Sequence, residues 1–493
     1  MEVWGTGAGE PSLPGISMGH NETIAFGLTI FNIDQEDLYV YELNPANPRQ
    51  YRYQGNWESM RVVRETIAVK GAEPVNAELL FTRHGPVIYT ESAKHRAFAL
   101  RTCWLEPGMA PYFGSAAFLK SKDFSQFQSA VHHWGAPTVN QVYADVKGNI
   151  GWVASGLTPV RRNWDGLMPV PGDGRFEWAG FWPGDKLPSA YNPPSGYFTT
   201  SNEMNLPAGY PYQERKPGFE WTNGSRHARL EEMFRSLKKV SLEDSMRMQF
   251  DQTSLPARRL VSLLAPLRSD DRPTQLALDL LKGWDAVERP DSAPAALFEV
   301  WLTRHLNRAF LAAALPPSAA GVVTVADRAV LLDTLEKQKP QERSPILLNS
   351  LGAAYTEMQR LGGPDPKAWQ WGKLHQSLPR HPLAAIVDAK TRAKIQPGPF
   401  PAPGGPYSPL QSMHTGNSFQ LTNGPSFRMV LDVGQWDNSR AVNYPGQSGN
   451  PDDPNYQNLT TLWLTGQYFP LLYSRPAIEK AAVTRIQLVP ARP

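Results

Sequence analysis

The stretch SMGHNETIAFGLTIFNIDQEDLYVYEL, Ser17 to Leu43, carries two strand-like runs with the acidic turn Asp34-Gln35-Glu36-Asp37 between them. Short runs rich in β-branched and aromatic residues, bounded by Gly, Asn and Asp, predict β-strands. RVVRETIAVK, AELLFTRHGPVIYT, RAFALRTCW and QVYADVKGNIGWVA repeat that signature as far as Ser155. Within the last of them, Lys147-Gly148 predicts a hairpin turn. From Leu157 to Pro217 the chain is dominated by Pro, Gly, Asn and Trp, which predicts loop kept in order by aromatic anchors.

Near Ser225 the apolar period lengthens from two residues to about 3.6, the mark of helices. SRHARLEEMFRSLKK predicts one helix, and SLEDSMRMQFDQ another, with Ser241 as N-cap and Asp244 completing a capping box. Leu276, Leu280, Trp284 and Val287 mark one face of a third, and APAALFEVWLTRHLNRAFLAAAL and PILLNSLGAAYTEMQRLGG continue the series. A Pro/Gly-rich crossing from Gln396 to Leu410 leads to strand-like NSFQLTNG and SFRMVLDVG. The expected division is a β-rich part over 1–220, a helical region over 221–362, and a return to strands and loops over 363–493. Strands, a helical block and strands again imply layers of sheet and helix in one α+β unit.

Composition narrows the ligand. Among 493 residues, 41% are apolar and 19% charged, with a net charge of only +3, so no global field argues for nucleic acid or an anionic membrane as partner. No run approaches the roughly 18 apolar residues of a membrane span, which predicts a soluble chain. The single cysteine, Cys103, excludes internal disulfides, and its strand-like setting predicts a buried small hydrophobe. The 46 Pro, 39 Gly and 15 Trp fit long ordered loops over β-structure, as in many extracytoplasmic enzymes.

Several motifs fail on context. Gly15-Ile16-Ser17-Met18-Gly19 fits a nucleophile elbow, but Pro11 and Pro14 precede it and a strand-like run follows, where an elbow needs a strand and then a helix. Ser236-Leu237-Lys238-Lys239 matches S-x-x-K without its companion motifs and predicts a solvated helix face. GTGAGE has Glu10 where a dinucleotide fingerprint needs glycine. The ten histidines show no metal spacing; His20, His84 and His381 flank turn residues and are expected to bond backbone. Asp34 and Asp37, three apart with an intervening carbonyl, could converge on a hard cation.

Taken in order, LPGISMGHNETIAFGLTIFNIDQEDLYVYEL, TRHGPVI, NQVYADVKGNIGW, GLMPVPG, YNPPSGYFTTSNE, SRHARLEEM, WQWGKLHQ, HPLAA and GQSGNPDDPNY resemble the penicillin acylase family of N-terminal-nucleophile amidases along nearly the whole chain. The resemblance implies an α+β, four-layer αββα hydrolase fold with a helical insertion, incomplete at its N-terminus. It also implies a precursor that cuts itself to expose an N-terminal serine. The hydroxyl of that serine attacks an amide with its own α-amine as base, and water releases the acyl-enzyme.

Carried over residue by residue, the resemblance places Ile30 where a backbone N–H meets the oxyanion and Asn202 where a side-chain amide does. Arg226 matches the arginine that polarises this asparagine and the terminal amine. Asp34, the Glu36 carbonyl, Asp37, the Gly166 carbonyl and Glu214 overlay the ligands of a structural Ca²⁺; at the last of these the best-known members have aspartate. Met18 and Leu28 line up with walls of the acyl pocket and suggest an apolar acyl group. Two departures are Glu203, where asparagine commonly follows Asn202, and Phe26, where tryptophan is frequent.

In the family the GHN segment follows the catalytic serine by a few dozen residues. The expectation is therefore that this chain begins downstream of that serine, lacks the small chain preceding it, and that Met1 is not the nucleophile. The substrate expected of the complete protein is an N-acyl compound: a penicillin-type amide, an acyl-homoserine lactone or a lipopeptide, met in the periplasm or outside the cell. The competing expectation is an inactive remnant that keeps calcium and an apolar cleft. A carbohydrate-active enzyme, suggested by the tryptophans, would need two carboxylates facing across a groove, and no such pair stands out.

Overall fold

The computed structural model describes residues 4–9, 15–108, 115–319, 321–416 and 418–489. Met1, Glu10, Pro11, Pro14 and Asn417 lie outside the described residues. The chain divides into two compact units, Met1–Thr222 and Asn223–Pro493. Residues 363–493 lie in the same unit as the helical region.

The first unit opens with β1 (Thr6–Ala8), β2 (Met18–His20) and β3 (Ile24–Ile30). The chain then builds a second sheet from β4 (Glu36–Asn44), β5 (Asn47–Tyr53), β6 (Asn56–Ser59), β7 (Arg61–Ile67), β8 (Val75–Thr82), β9 (Gly85–Glu91) and β10 (Arg96–Thr102). It returns to the first sheet with β11 (Val139–Asp145) and β12 (Ile150–Ser155), the hairpin expected at Lys147-Gly148. β13 (Pro159–Arg161) pairs with β15 (Trp178–Phe181), β14 (Val170–Pro171) runs parallel to β4, and β16 (Ser189–Tyr191) closes the first sheet. The first sheet runs β1-β2-β3-β11-β12-β16, and the second β6-β5-β4-β10-β9-β8-β7.

Strand alternation assigns the faces. Ile24, Phe26 and Leu28 of β3 lie with Tyr143 and Val153 against Phe118, Phe127 and Val131 of helices Ser115–Phe118 and Phe124–Val131. The Phe26 and Phe118 rings meet edge to face at 5.3 Å. On the opposite face Trp152, Ala154 and Val142 pack with Phe31 and Leu187. Each such buried aromatic or aliphatic side chain contributes about 1.5–3 kcal/mol. In β4 the same alternation buries Asp37 along with Tyr39, Tyr41 and Leu43, so a carboxylate is carried into the core and must find a partner there.

The second unit holds the expected helices, among them Ser225–Arg235, Leu242–Gln249, Arg272–Leu281 and Ala293–Val300, ending with Pro340–Gly362. Ser241 and Asp244 form the predicted capping box, at 3.0 and 2.9 Å. The predicted face of the third helix is met in part, with Leu280 and Trp284 packed against the core of this unit. Arg272–Leu281 buries Thr274, Ala277, Leu278 and Leu281, while Leu276 is exposed. Trp284 lies beyond the helix end, past Gly283 at φ +75°, because a left-handed glycine ends the helical path. The two late strand-like runs appear as Leu421–Asn423 and Phe427–Val430. Among the described residues, no helix is long and apolar enough to cross a membrane.

Candidate functional site

Ile30 ends β3, opposite Val139 of β11, with its side chain 58% exposed. The next residue, Phe31, donates its N–H to Thr138 at 3.2 Å. Residues of an antiparallel pair alternate in the side to which their backbone groups point, so the Ile30 N–H and C=O face away from β11. The Asn202 side chain meets that carbonyl, its Nδ2 donating to Ile30 O at 2.9 Å across 172 residues of sequence. The two groups expected to form one cradle are therefore neighbours.

Asn202 sits at φ +67°, a left-handed conformation that asparagine tolerates better than most residues. Its segment is tied down on both sides. Ser201 N donates to Glu203 Oε2 at 2.6 Å. Thr222 donates through N to Asn202 O at 3.2 Å and through Oγ1 to Ser201 O at 3.1 Å. Glu203, one of the two family departures, thus braces the turn that presents Asn202. Phe26, the other, is buried in the aromatic cluster.

Beneath the cradle lies a residue that sequence reading did not single out. Asn140 of β11 is fully buried, and its Nδ2 approaches Thr29 Oγ1 at 3.1 Å, Ile30 O at 3.2 Å and Thr200 Oγ1 at 3.0 Å. Its Oδ1 accepts from Trp152 Nε1 at 2.6 Å and Asn205 Nδ2 at 2.9 Å. One amide thereby joins β3, β11, β12 and the 200–205 loop, and holds Ile30 against Asn202. The available signal was a polar residue between Val139 and Val142 in a strand whose faces are both covered.

A cavity of about 620 Å³ opens beside Ile30, lined by Asp34, Glu36, Trp104, Leu167 and Phe219 among others. Met18 and Leu28 are absent from that lining. Leu28 packs on the Phe26 cluster, whereas Met18, one step beyond the Gly19–Phe26 pair, projects to the other face of the sheet. That register puts Met18 and Leu28 on opposite faces of the sheet. Arg226 stands in the first turn of helix Ser225–Arg235, in the second unit. Ser17 is buried and heads β2 with no helix after it, as its failed elbow context implied.

The proposed calcium ligands tell a different story. Arg161 lies among them, its Nε donating to Asp37 Oδ2 at 2.7 Å. Its Nη2 is 3.3 Å from Asp34 Oδ2, 3.3 Å from Asp34 O and 3.4 Å from Glu36 O. Trp178 and Trp164 add indole N–H donors to Asp37 at 2.5 and 3.3 Å. Burial raises the Asp34 carboxyl to about 6, outweighing the pull of Arg161. Gly166 backs onto this group, since a side chain there would strike Asp34 and the guanidinium. Glu214 lies in the short helix Tyr212–Arg215. Among the described residues no cluster of three His, Cys, Asp or Glu is arranged to hold a metal. Asp34, Asp37 and the Glu36 carbonyl, three of the five groups expected around Ca²⁺, are engaged by an arginine, so these residues do not fit the ion.

Two other expectations meet the structure. Cys103 is fully buried, and burial pushes its thiol up to about 12, as a small hydrophobe requires. His84 departs from its expected backbone bond. It pairs with Tyr41 Oη and, at 2.9 Å, with Glu177, stacked on Tyr39.

The fold superimposes on the thermostable penicillin G acylase of Alcaligenes faecalis with a TM-score of 0.75, over 100% of this chain and 94% of that one, at 20% identity. The molecule is thus an α+β protein of the N-terminal-nucleophile hydrolase fold. The penicillin amidase family model matches residues 3–480, and the chain belongs to that family. An acyl-homoserine lactone acylase, QuiP of Pseudomonas aeruginosa, is 29% identical over 538 residues, covering 97% of this chain and 63% of the relative. The penicillin acylase 2 proenzyme of Pseudomonas sp. strain SE83 is 28% identical over 98% of this chain and 63% of its own length. The penicillin G acylase of Escherichia coli is 29% identical over 64% of this chain and 39% of the relative. The chain thus spans less than two thirds of the length of these curated relatives.

Proposed function

We propose that this chain is the larger part of an amide hydrolase that removes the acyl group from an N-acyl compound. The observation that carries this reading is the meeting of Asn202 with Ile30, 2.9 Å from Nδ2 to the carbonyl oxygen. The Asn202 side-chain amide and the Ile30 N–H, which is directed away from β11, are the two donors that this reading assigns to an oxyanion. The Asn140 amide sets the spacing of the two donors before substrate arrives, so little reorganisation accompanies charge development. The attacking hydroxyl is that of a serine with a free α-amine, which the family resemblance implies; residues 4–489 are assigned no such role. The small chain of the precursor is the expected partner, and the periplasm or cell exterior the expected place.

Acyl-homoserine lactones and penicillin-type amides are the two candidate substrates, because QuiP matches along 97% of this chain and the penicillin acylase 2 proenzyme along 98%. The full-length precursor, assayed with N-acyl-homoserine lactones and phenylacetylated amines, tests the reading. Asn202→Gly keeps the left-handed backbone and deletes the donor, so kcat should fall about 10²–10³-fold while KM changes little. A kcat within about threefold of the parent would refute the cradle. An absence of turnover by a self-cleaved parent would favour the inactive remnant.

A further inference from the structure

Asp37 reaches the interior because β4 alternates, and its side chain is 1% exposed. A buried carboxylate needs a counter-charge, and leaving one without its partner is strongly destabilising. Arg161 supplies it from β13 with a side chain 3% exposed. The guanidinium engages Asp34, Asp37 and the Glu36 carbonyl together, and Trp178 Nε1 completes the donor set on Asp37. A Ca²⁺ ion would need to lie about 2.3–2.6 Å from these same oxygens. The Arg161 nitrogens already lie 2.7–3.4 Å from them, so ion and guanidinium would claim one space with the same sign of charge.

Displacing Arg161 would strand a cation that has almost no access to water. Gly166 explains how the guanidinium fits: an added Cβ there would lie 2.5 Å from Asp34 Oδ2 and 2.9 Å from Arg161 Cζ, at a backbone φ of +94°. The absence of a side chain at 166 makes the room that Arg161 fills. Glu214, the remaining acid of the expected set, is not among the groups bound to Arg161.

We infer that Arg161 is the built-in cation of this turn, and that the chain holds its Asp34–Asp37 segment without calcium. Thermal unfolding of the full chain in EDTA and in millimolar CaCl2, with elemental analysis after dialysis, tests this. The expected result is a Tm that agrees within about 1 °C between the two solutions and no stoichiometric calcium, since an ion that bound only the native state would raise Tm. A clear rise with Ca²⁺, or one calcium per chain, overturns the inference. Arg161→Gln, which keeps hydrogen-bonding capacity and loses the charge, should lower Tm by roughly 5–10 °C in either solution. An unchanged Tm in that variant would also overturn it. If the variant does not fold, the calcium measurement on the parent chain still decides.

Discussion

Asn140 beneath the cradle and Glu299 in the second unit are both withdrawn from water, yet their surroundings are built from opposite materials. The first joins amides and hydroxyls of the first unit and leads to a cavity at Ile30. The second gathers ionisable groups inside the second unit. Glu299 pairs with His414 at 2.9 Å, Glu288 lies beside Glu299, and His375 and Arg328 stand close by. Burial and the neighbouring Glu299 hold the Glu288 carboxyl well above the usual range, and burial pushes His375 down to about 4. Shifted titration is often read as the sign of an active site. Here such shifts fall in a buried cluster whose carboxylates and imidazoles are less than 3% exposed. The cradle needs no charged group. In the proposed reaction, neutral dipoles held at fixed spacing are what a developing oxyanion meets, whereas the buried cluster balances its own charges.

That contrast can be broken experimentally. The largest effect is expected from Glu299→Ala, which leaves His414 and Arg328 without their carboxylate and should cost about 3–5 kcal/mol in urea unfolding. A loss below about 1 kcal/mol would mean that the cluster tolerates an unmatched charge, as an exposed pair does.

The next effect is pH dependence, in which Glu288, Glu299, His414, His375 and Arg328 all take part. The folded pKa of Glu288 is raised, so its stabilising contribution is complete below the unfolded value near 4.5 and is lost as pH climbs toward the folded value. The slope in that window is about 1.4 kcal/mol per pH unit for one proton. Glu299 is shifted downward and contributes the opposite limb, lost as pH falls. Glu288→Gln should therefore flatten the alkaline side of a Tm-against-pH curve and leave the acid side in place. Parallel curves for parent and variant would contradict a Glu288 carboxyl held above its usual range by burial and Glu299.

The smallest effect sharpens the other side of the comparison. Thr200→Val removes a hydroxyl that faces Thr29 and Asn140 and should cost about 1 kcal/mol, with no change in the pH profile. A pH-dependent loss would show that the cradle carries charge after all.

Much of the architecture was legible. Period-two runs gave β3, β4 and the β11–β12 hairpin, and the Ser241–Asp244 pair announced its helix, because these signals are set by neighbours within a few residues. The third helix was legible in part, since Leu276 and Trp284 continue an apolar period past the point where Gly283 turns the chain away. Met18 and Leu28 are a related case: position in a motif does not state which face of a sheet a side chain takes. The Asp34–Asp37 carboxylates are legible in the sequence, whereas the arginine that pairs with them, Arg161, lies too far along the chain for local spacing to reveal.

From its own order of residues this chain determined the strands, the helices, and the fact that alternation must carry Asp37 inward. Only the tertiary structure decided which groups meet. Arg161 reaches Asp37 across 124 residues, and Asn202 reaches Ile30 across 172. Local periodicity fixes the face on which a side chain lies, because it follows from backbone geometry. The partner across a fold depends on loop closure and packing of distant segments, and no short window of sequence records that choice.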